Sequence, residues 1–200
     1  MLVLACAWLC AAAAPQPAPR QTRMPFTEAD GDRFASKYAA VLARGPAPAG
    51  VRRKPIQTIV TEPEINGYLR YRSTLLPVGV LEPYVFALGD GRVAGVATVD
   101  LDAVRLSKPR GMLDPAQLLR GRVPVTATGI LRSKDGEFRF ELESATVAGI
   151  EVPKALLQEL VGYYTRSATN PDGYNLDAPF TLQGGIRAVT VEAGRAIIIQ

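Results

Sequence analysis

"VPVTATGILRSKDGEFRFELESATVAGIEVP", residues 123–153, decides the fold. Asp135–Gly136 is a two-residue hairpin signal, because the favoured turn needs positive φ at both central positions and Asp and Gly tolerate it. Folding the chain there sets Leu131 against Phe140, Gly129 against Leu142 and Val125 against Thr146. Arg132, Arg139, Glu141 and Glu143 then point the other way. Turn chemistry and period-two alternation agree, so the stretch reads as a long antiparallel hairpin with one buried face.

The pattern recurs on both sides. "EPYVFALGDGRVAGVATVDLDAV" (82–104) folds about Asp90–Gly91, which sets Leu88 against Val93, Phe86 against Gly95 and Tyr84 against Ala97. Its second strand is read as running on through Asp100 and Asp102. "IRAVTVEAGRAIIIQ" (186–200) turns at Ala193–Gly194, and its last strand places Ile197, Ile198 and Ile199 on both faces. Such a strand belongs in the middle of a sheet rather than at an edge.

Helical signals lie between the strands. "TEPEINGYLRY" (61–71) has Thr61 and Glu64 as a capping box and Pro63 in the first turn, with Ile65, Tyr68, Leu69 and Arg72 on one stripe. "TEADGDRFASKYAAVLARG" (27–45) opens on Thr27 with Asp30 three residues on, and closes at Gly45. Phe34, Tyr38, Val41 and Leu42 fall at helical spacing, and Gly31 weakens the first turn. "VPKALLQELVGYYTRS" (152–167) is opened by Pro153 and carries Leu156, Leu157, Leu160, Val161 and Tyr164 as its apolar stripe. "KPIQTIV" (54–60) is a short strand. The sum is an α+β domain: a long antiparallel sheet built of hairpins, with helices against one face.

At 200 residues the chain holds a single such domain over 27–200. Residues 15–26, "PQPAPRQTRMPF", read as a proline-rich, solvated linker. Leu2–Ala14 is an apolar run, too short for the ~20 residues a bilayer span needs, and ends in small residues as a signal peptide does. Residues 1–14 therefore read as an export signal, with an uncleaved or lipid-anchored form through Cys6 or Cys10 left open. The expected place of the domain is the bacterial periplasm or cell envelope. Cleavage among Ala11–Ala14 would remove both cysteines, and the chain has no histidine. The usual zinc ligands and the usual base for a serine or cysteine nucleophile would then be missing.

The net charge of +4 is small and scattered, with no aromatic–basic pattern of a nucleic-acid module. Asp100 and Asp102 would share the solvent side of a strand, which suits solvation better than acid–base work. "NPDGYNLD" (170–177) has acidic and amide residues with a glycine but lacks the terminal Glu of a calcium loop, so turn chemistry explains it better. No serine sits in a nucleophile elbow. No catalytic residue, metal ligand or cofactor is expected, and the chain reads as a non-enzyme.

Two features suggest binding instead. Gly95, Ala97, Ala127 and Gly129 lie mid-strand on the apolar faces. One reading is that a helix crosses close there or that the glycines let long strands bend; the other, compatible with it, is that the sheet curls and leaves room for an apolar guest. The segment 104–123 carries Arg105, Lys108 and Arg110 beside Met112 and Leu113. It reads either as a polar connection or as a lid whose apolar tips touch lipid while its cations meet anionic head groups.

The order of parts also resembles small bacterial envelope domains related to the tubular lipid-binding, BPI-like proteins. The resemblance rests on Thr61, Glu64, Asn66 and Leu69 at the helix start, Gly149, Val152 and Pro153 before the later helix, and Gly185–Ile186 before the last hairpin. It spans about residues 55–200 and implies a strongly curved sheet wrapped around one or two helices, with a groove for acyl chains. The capped helix would form one wall with Leu69 inward. The groove would be lined by Leu69, Phe86, Gly95, Val99, Gly129, Leu131, Phe140 and Leu157, and the expected partner is a lipid or other apolar ligand. The alternative is a structural or protein-interaction module with a filled interior.

Overall fold

Asp90–Gly91 and Asp135–Gly136 are the tight turns their sequence demands, with φ of 53° and 79° in the first and 52° and 87° in the second. The computed structural model describes residues 22–47, 53–73, 76–106, 121–165 and 170–200, the side chains at 104–106, 160 and 163–165 excepted. In chain order the elements are α1 (Glu28–Arg44), β1 (Gln57–Thr61), α2 (Glu62–Tyr71), β2 (Val80–Gly89), β3 (Arg92–Asp100), α3 (Leu101–Leu106) and β4 (Arg122–Lys134). They continue with β5 (Glu137–Val147), β6 (Ile150–Glu151), α4 (Lys154–Thr165), β7 (Phe180–Thr181), β8 (Ala188–Glu192) and β9 (Arg195–Ile199). The fold is α+β with antiparallel sheets. The signal and most of the linker lie outside the described residues.

The hairpins form one open sheet in the order β2-β3-β4-β5-β6, with β7 pairing the turn end of β5. β1-β9-β8 form a second sheet in which β9, apolar on both faces, is central as expected. The sheets are joined main chain to main chain: Gly91 donates to the Val191 carbonyl (3.2 Å) and Gly136 to that of Arg187 (2.8 Å). The Ser133 hydroxyl adds a pair of 3.1 Å bonds to the Val189 carbonyl and amide.

The register of the first hairpin differs from the expected one. Gly89 pairs with Arg92, but Ala87 then pairs with Val93, Phe86 with Ala94, Val85 with Gly95 and Tyr84 with Val96. Leu88 is bulged out of this ladder and bridges Ala193 instead, while Ala87 accepts from the Gly194 amide at 2.8 Å. That single extra residue turns Phe86 to the face opposite Gly95, since side chains alternate with a period of two. In the second hairpin Leu131–Phe140 and Gly129–Leu142 pair as expected. Beyond Gly129 a bulge shifts the ladder, so Val125 meets Val147 and Thr126 meets Thr146. The strand also stops earlier than expected: β3 ends at Asp100, and Leu101 begins a short helix.

Two clusters make up the core. Val41, Val60, Phe138, Ile186 and Ile198 tie α1, the β1-β9-β8 sheet and β5 together, with Leu131 packed against them. Tyr84, Phe86 and Ala94 form the other, covered by Phe26 at the end of the segment read as linker. On α4, Leu156 is 46% exposed, contrary to the expected stripe, while Leu157 and Val161 are half-buried. α4 is pinned instead through Gln158, whose side-chain oxygen accepts from the Leu176 amide at 2.7 Å. The 170–178 segment is turn chemistry: the Asn175 side chain accepts from the Asp177 amide (2.9 Å) and Gly173 has φ of 76°.

Among the described residues β5 is paired along its outer side only towards its ends, by β7 at Glu137–Phe138 and by β6 at Thr146–Val147, where the Val152 amide also donates to the Ala145 carbonyl (2.9 Å). Among the described residues nothing pairs with Arg139–Ser144 on that side.

Candidate functional site

The N-terminus of α2 buries its polar residues rather than its apolar ones. Thr61 and Glu64 form the expected box, the Thr61 amide donating to Glu64 Oε2 at 2.9 Å and the Glu64 amide to Thr61 Oγ1 at 3.4 Å. Glu64 also accepts both 2.7 and 2.8 Å bonds from Lys37 Nζ on α1. Burial alone would raise the Glu64 pKa, but Lys37 and Thr61 outweigh it and hold the carboxyl below its ordinary value. Glu62, 4% exposed, accepts from the Tyr84 hydroxyl (2.7 Å) and the Ala87 amide (2.9 Å).

Asn66 is wholly buried and acts as a strand residue set on a helix. Its Nδ2 donates to the Val85 carbonyl and its Oδ1 accepts from the Val85 amide, each at 2.8 Å. α2 thereby closes the free edge of β2, where unpaired main chain would be costly. Tyr84 is enclosed by this network and by Met24, whose amide donates to its hydroxyl at 2.7 Å. Desolvation first, then the Glu62 carboxylate, pushes the Tyr84 pKa up to about 12. This is a structural clamp. Only its capping half shows in the sequence, at Thr61 and Glu64, and Thr27–Asp30 opens α1 in the same way.

Of the expected groove residues, the structure brings some together and separates others. Gly95 pairs with Ala127, and Ala127 with Ala145, so a row of small residues does cross one face of the sheet. A Cβ built on Gly95 would meet nothing within 4 Å. Gly129 is different: a Cβ there would lie 2.5 Å from the Phe140 ring, which fills that end. Leu131 is committed to the core beside Phe138. Phe86 is 6% exposed in the other cluster, so the expected Phe86–Gly95 facing pair is not formed. Val99 pairs with Val80 and Val123 near the far end, and Leu157 stands half-buried on α4. Lys108, Arg110, Met112 and Leu113 lie outside the described residues, as does the side chain of Arg105.

Leu69 does line a cleft, of about 350 Å³, with Leu76, Val80, Leu81 and Pro83 as its apolar part and Arg70, Glu82, Thr98 and Arg122 as its polar part. The cleft owes its shape to a bulge. Leu81 pairs with Thr98 and Tyr84 with Val96, so Glu82 and Pro83 together oppose Ala97. Pro83 fits because it has no N–H to place in a ladder, and Glu82 takes the rare positive φ of 48°. Arg122 at the rim is 3.3 Å from Asp100. Asp100 in turn accepts from the Ala103 amide at 3.0 Å, capping α3, and this bond and Arg122 lower its pKa. Asp102 bonds the Gly121 amide at 3.0 Å, so the two acids anchor main chain and do not share the open face of a strand.

A second cleft, of about 660 Å³, lies where the Asp135–Gly136 turn meets the C-terminal end of α1. Arg44, Arg53 and Arg187 line it, with Gly45, Pro46 and Gly185 among its main-chain walls. Gly185 has φ of 68°, and a Cβ there would be 2.6 Å from Pro46 Cα, so only glycine allows this approach.

Among the described residues no group of three or more acidic, histidine or cysteine side chains is placed to hold a metal ion, and no helix is long and apolar enough to cross a membrane. No protein-family model, curated protein or solved structure gives a significant match to the chain.

Proposed function

We propose that the chain is a non-enzymatic binding domain of the bacterial cell envelope, exported to the periplasm, that holds a lipid or similar anionic amphiphile at the α2–β2 cleft. The observation that carries this reading is the mixed lining of that cleft, with Leu69, Leu76, Val80, Leu81 and Pro83 beside Arg70 and Arg122. A part-apolar slot edged by two arginines, with Glu82 as the acidic residue of its lining, suits a molecule with a short greasy segment and an acidic head. Six methylenes buried at ~0.8 kcal/mol each would contribute about 5 kcal/mol, enough for binding weaker than micromolar without the head group.

The fuller form of the reading follows the resemblance to the tubular lipid-binding proteins: a hairpin sheet curled around helices and enclosing a whole acyl chain. The open space over Gly95 and the row of Ala127 and Ala145 favour it. The Phe140 ring over Gly129 and the burial of Phe86 count against a continuous groove. Those two side chains favour the second reading, a protein-interaction module with a filled interior. Contact of Arg105, Lys108, Arg110, Met112 and Leu113 with anionic head groups belongs to the lipid reading.

Denaturing mass spectrometry of the purified protein tests the proposal, alongside uptake of fluorescent fatty acids and phospholipids. Co-extracted amphiphile is expected, with uptake at least about tenfold weaker in Leu81→Asp. A lipid-free protein with no uptake leaves the interaction module as the better reading.

A further inference from the structure

The arginine-lined cleft has no part in that reading, and the two sites lie at opposite ends of β4: Arg122 borders one and the turn after Lys134 the other. At ~3.3 Å per residue the strand separates them by roughly 40 Å. We propose that the cleft between Arg44, Arg53 and Arg187 binds the phosphoryl group of a phosphate-bearing ligand.

Three arginines line one cleft, with Asp135 as the acidic residue of the lining. Among the described residues none of the three arginines makes an ion pair. Holding like charges together costs repulsion that a bound anion removes. Two of them are fixed in place by main-chain carbonyls: Arg44 Nη2 donates to Lys54 (2.9 Å) and Arg53 Nη1 to Arg44 (3.0 Å). A guanidinium has five N–H donors, so one such bond orients the fork and leaves donors for a second partner. Planar forks held in this way suit the tetrahedral, multiply charged oxygens of a phosphate.

The adjoining C-terminus of α1 would itself repel an anion. Three of its last four carbonyls are engaged, however: Val41 accepts from Gln200 Nε2 (2.9 Å), Leu42 from the Gly45 amide (3.1 Å) and Arg44 from Arg53. The negative end of the helix is thus largely covered, and the lining carries three arginines against one aspartate. About 660 Å³ admits a phosphate with the group that carries it. That group is either a small soluble molecule or a lipid head, since both present the same oxygens.

Calorimetric titration of the full chain separates the two sources. One arm uses inorganic phosphate and glycerol 3-phosphate. The other uses vesicles of phosphatidic acid, with phosphatidylcholine vesicles as control. Binding in at least one arm is expected, weakening as salt rises, and falling about tenfold or more in Arg187→Glu. Arg187 is the residue to change because its side chain is exposed and bonds no main chain among the described residues. Arg187→Lys should be intermediate, keeping the charge but losing the fork. Leu81→Asp, in the other cleft, should leave phosphate binding unchanged, which makes failure here distinguishable from failure of the lipid reading. The proposal is overturned if neither arm binds, or if Arg187→Glu binds as tightly as the parent chain.

Discussion

Asn66 shows how much a single side chain can do when it replaces a strand. Its amide makes to Val85 the two bonds a neighbouring β-residue would make. Asn66→Ala leaves both main-chain groups of Val85 without partners at a partly buried edge. At ~1–3 kcal/mol for each unsatisfied group, a loss of about 3 kcal/mol is expected from urea unfolding. Tyr84 gives a second prediction. Its folded-state pKa is raised above the ordinary 10 to about 12, so the fold favours the neutral phenol. That stabilisation is complete below pH 10 and is lost as pH rises toward 12. Tyr84→Phe should be less stable at neutral pH but should lose less than the parent between pH 10 and 12. The capping half of this region was legible, because Thr61 and Glu64 sit at the required spacing. The burial of Glu62, Glu64 and Asn66 was not. Polar residues are normally read as solvated, and their partners on β2 and α1 lie about 20 or more residues away in the chain.

Helices and strands were legible wherever local chemistry decides them. Capping boxes, Asp–Gly turns and the twofold apolarity of β9 each act over a few residues. The bulges at Leu88, at Glu82–Pro83 and beyond Gly129 were not, because a slip of one residue leaves the alternation on either side of it intact. Leu88 leaves its ladder to bridge Ala193, and no property of "ALGDGRV" announces that. The consequence for the groove was direct: one residue of slip sent Phe86 to the other face. Glycines in helices carried a signal that could have been used. Gly31 and Gly67 cost helix stability of ~1 kcal/mol each and so call for a packing reason. They meet: a Cβ on Gly67 would be 2.6 Å from the Gly31 nitrogen, and one on Gly31 would be 2.7 Å from the Gly67 carbonyl oxygen. Gly67→Ala should therefore destabilise by about 2 kcal/mol or more, helix propensity notwithstanding. Gly95→Ala, facing open space, should leave thermal stability nearly unchanged or slightly raised. Equal losses from the two substitutions would show that the space over Gly95 is filled.

At the scale of the whole molecule, the two sheets are one mechanical unit. Phe138 is fully buried and belongs to the cluster shared by β5, α1, β1 and β9. Phe138→Ala should cost about 3–5 kcal/mol. Near- and far-ultraviolet circular dichroism should still report a single coincident transition, since that cluster is shared between the two sheets and main-chain bonds join them. The α+β class was readable from the sequence because hairpins declare themselves. The placement of the clefts was not, because each arises where ends of separate elements converge: α2 on the β2 bulge, and the turn after β4 on the last turn of α1.

The stretch of β5 that nothing among the described residues pairs, Arg139–Ser144, has a bearing on behaviour at high concentration. A strand that offers free amides and carbonyls invites a copy of itself, and oligomers can grow by that route. Here Arg139, Glu141 and Glu143 crowd the exposed stretch, and cross-strand partners Arg132 and Arg92 hold the two glutamates in place. The molecule thus carries its own deterrent against self-templating, written in charge on the only side of that strand left for a visitor among the described residues.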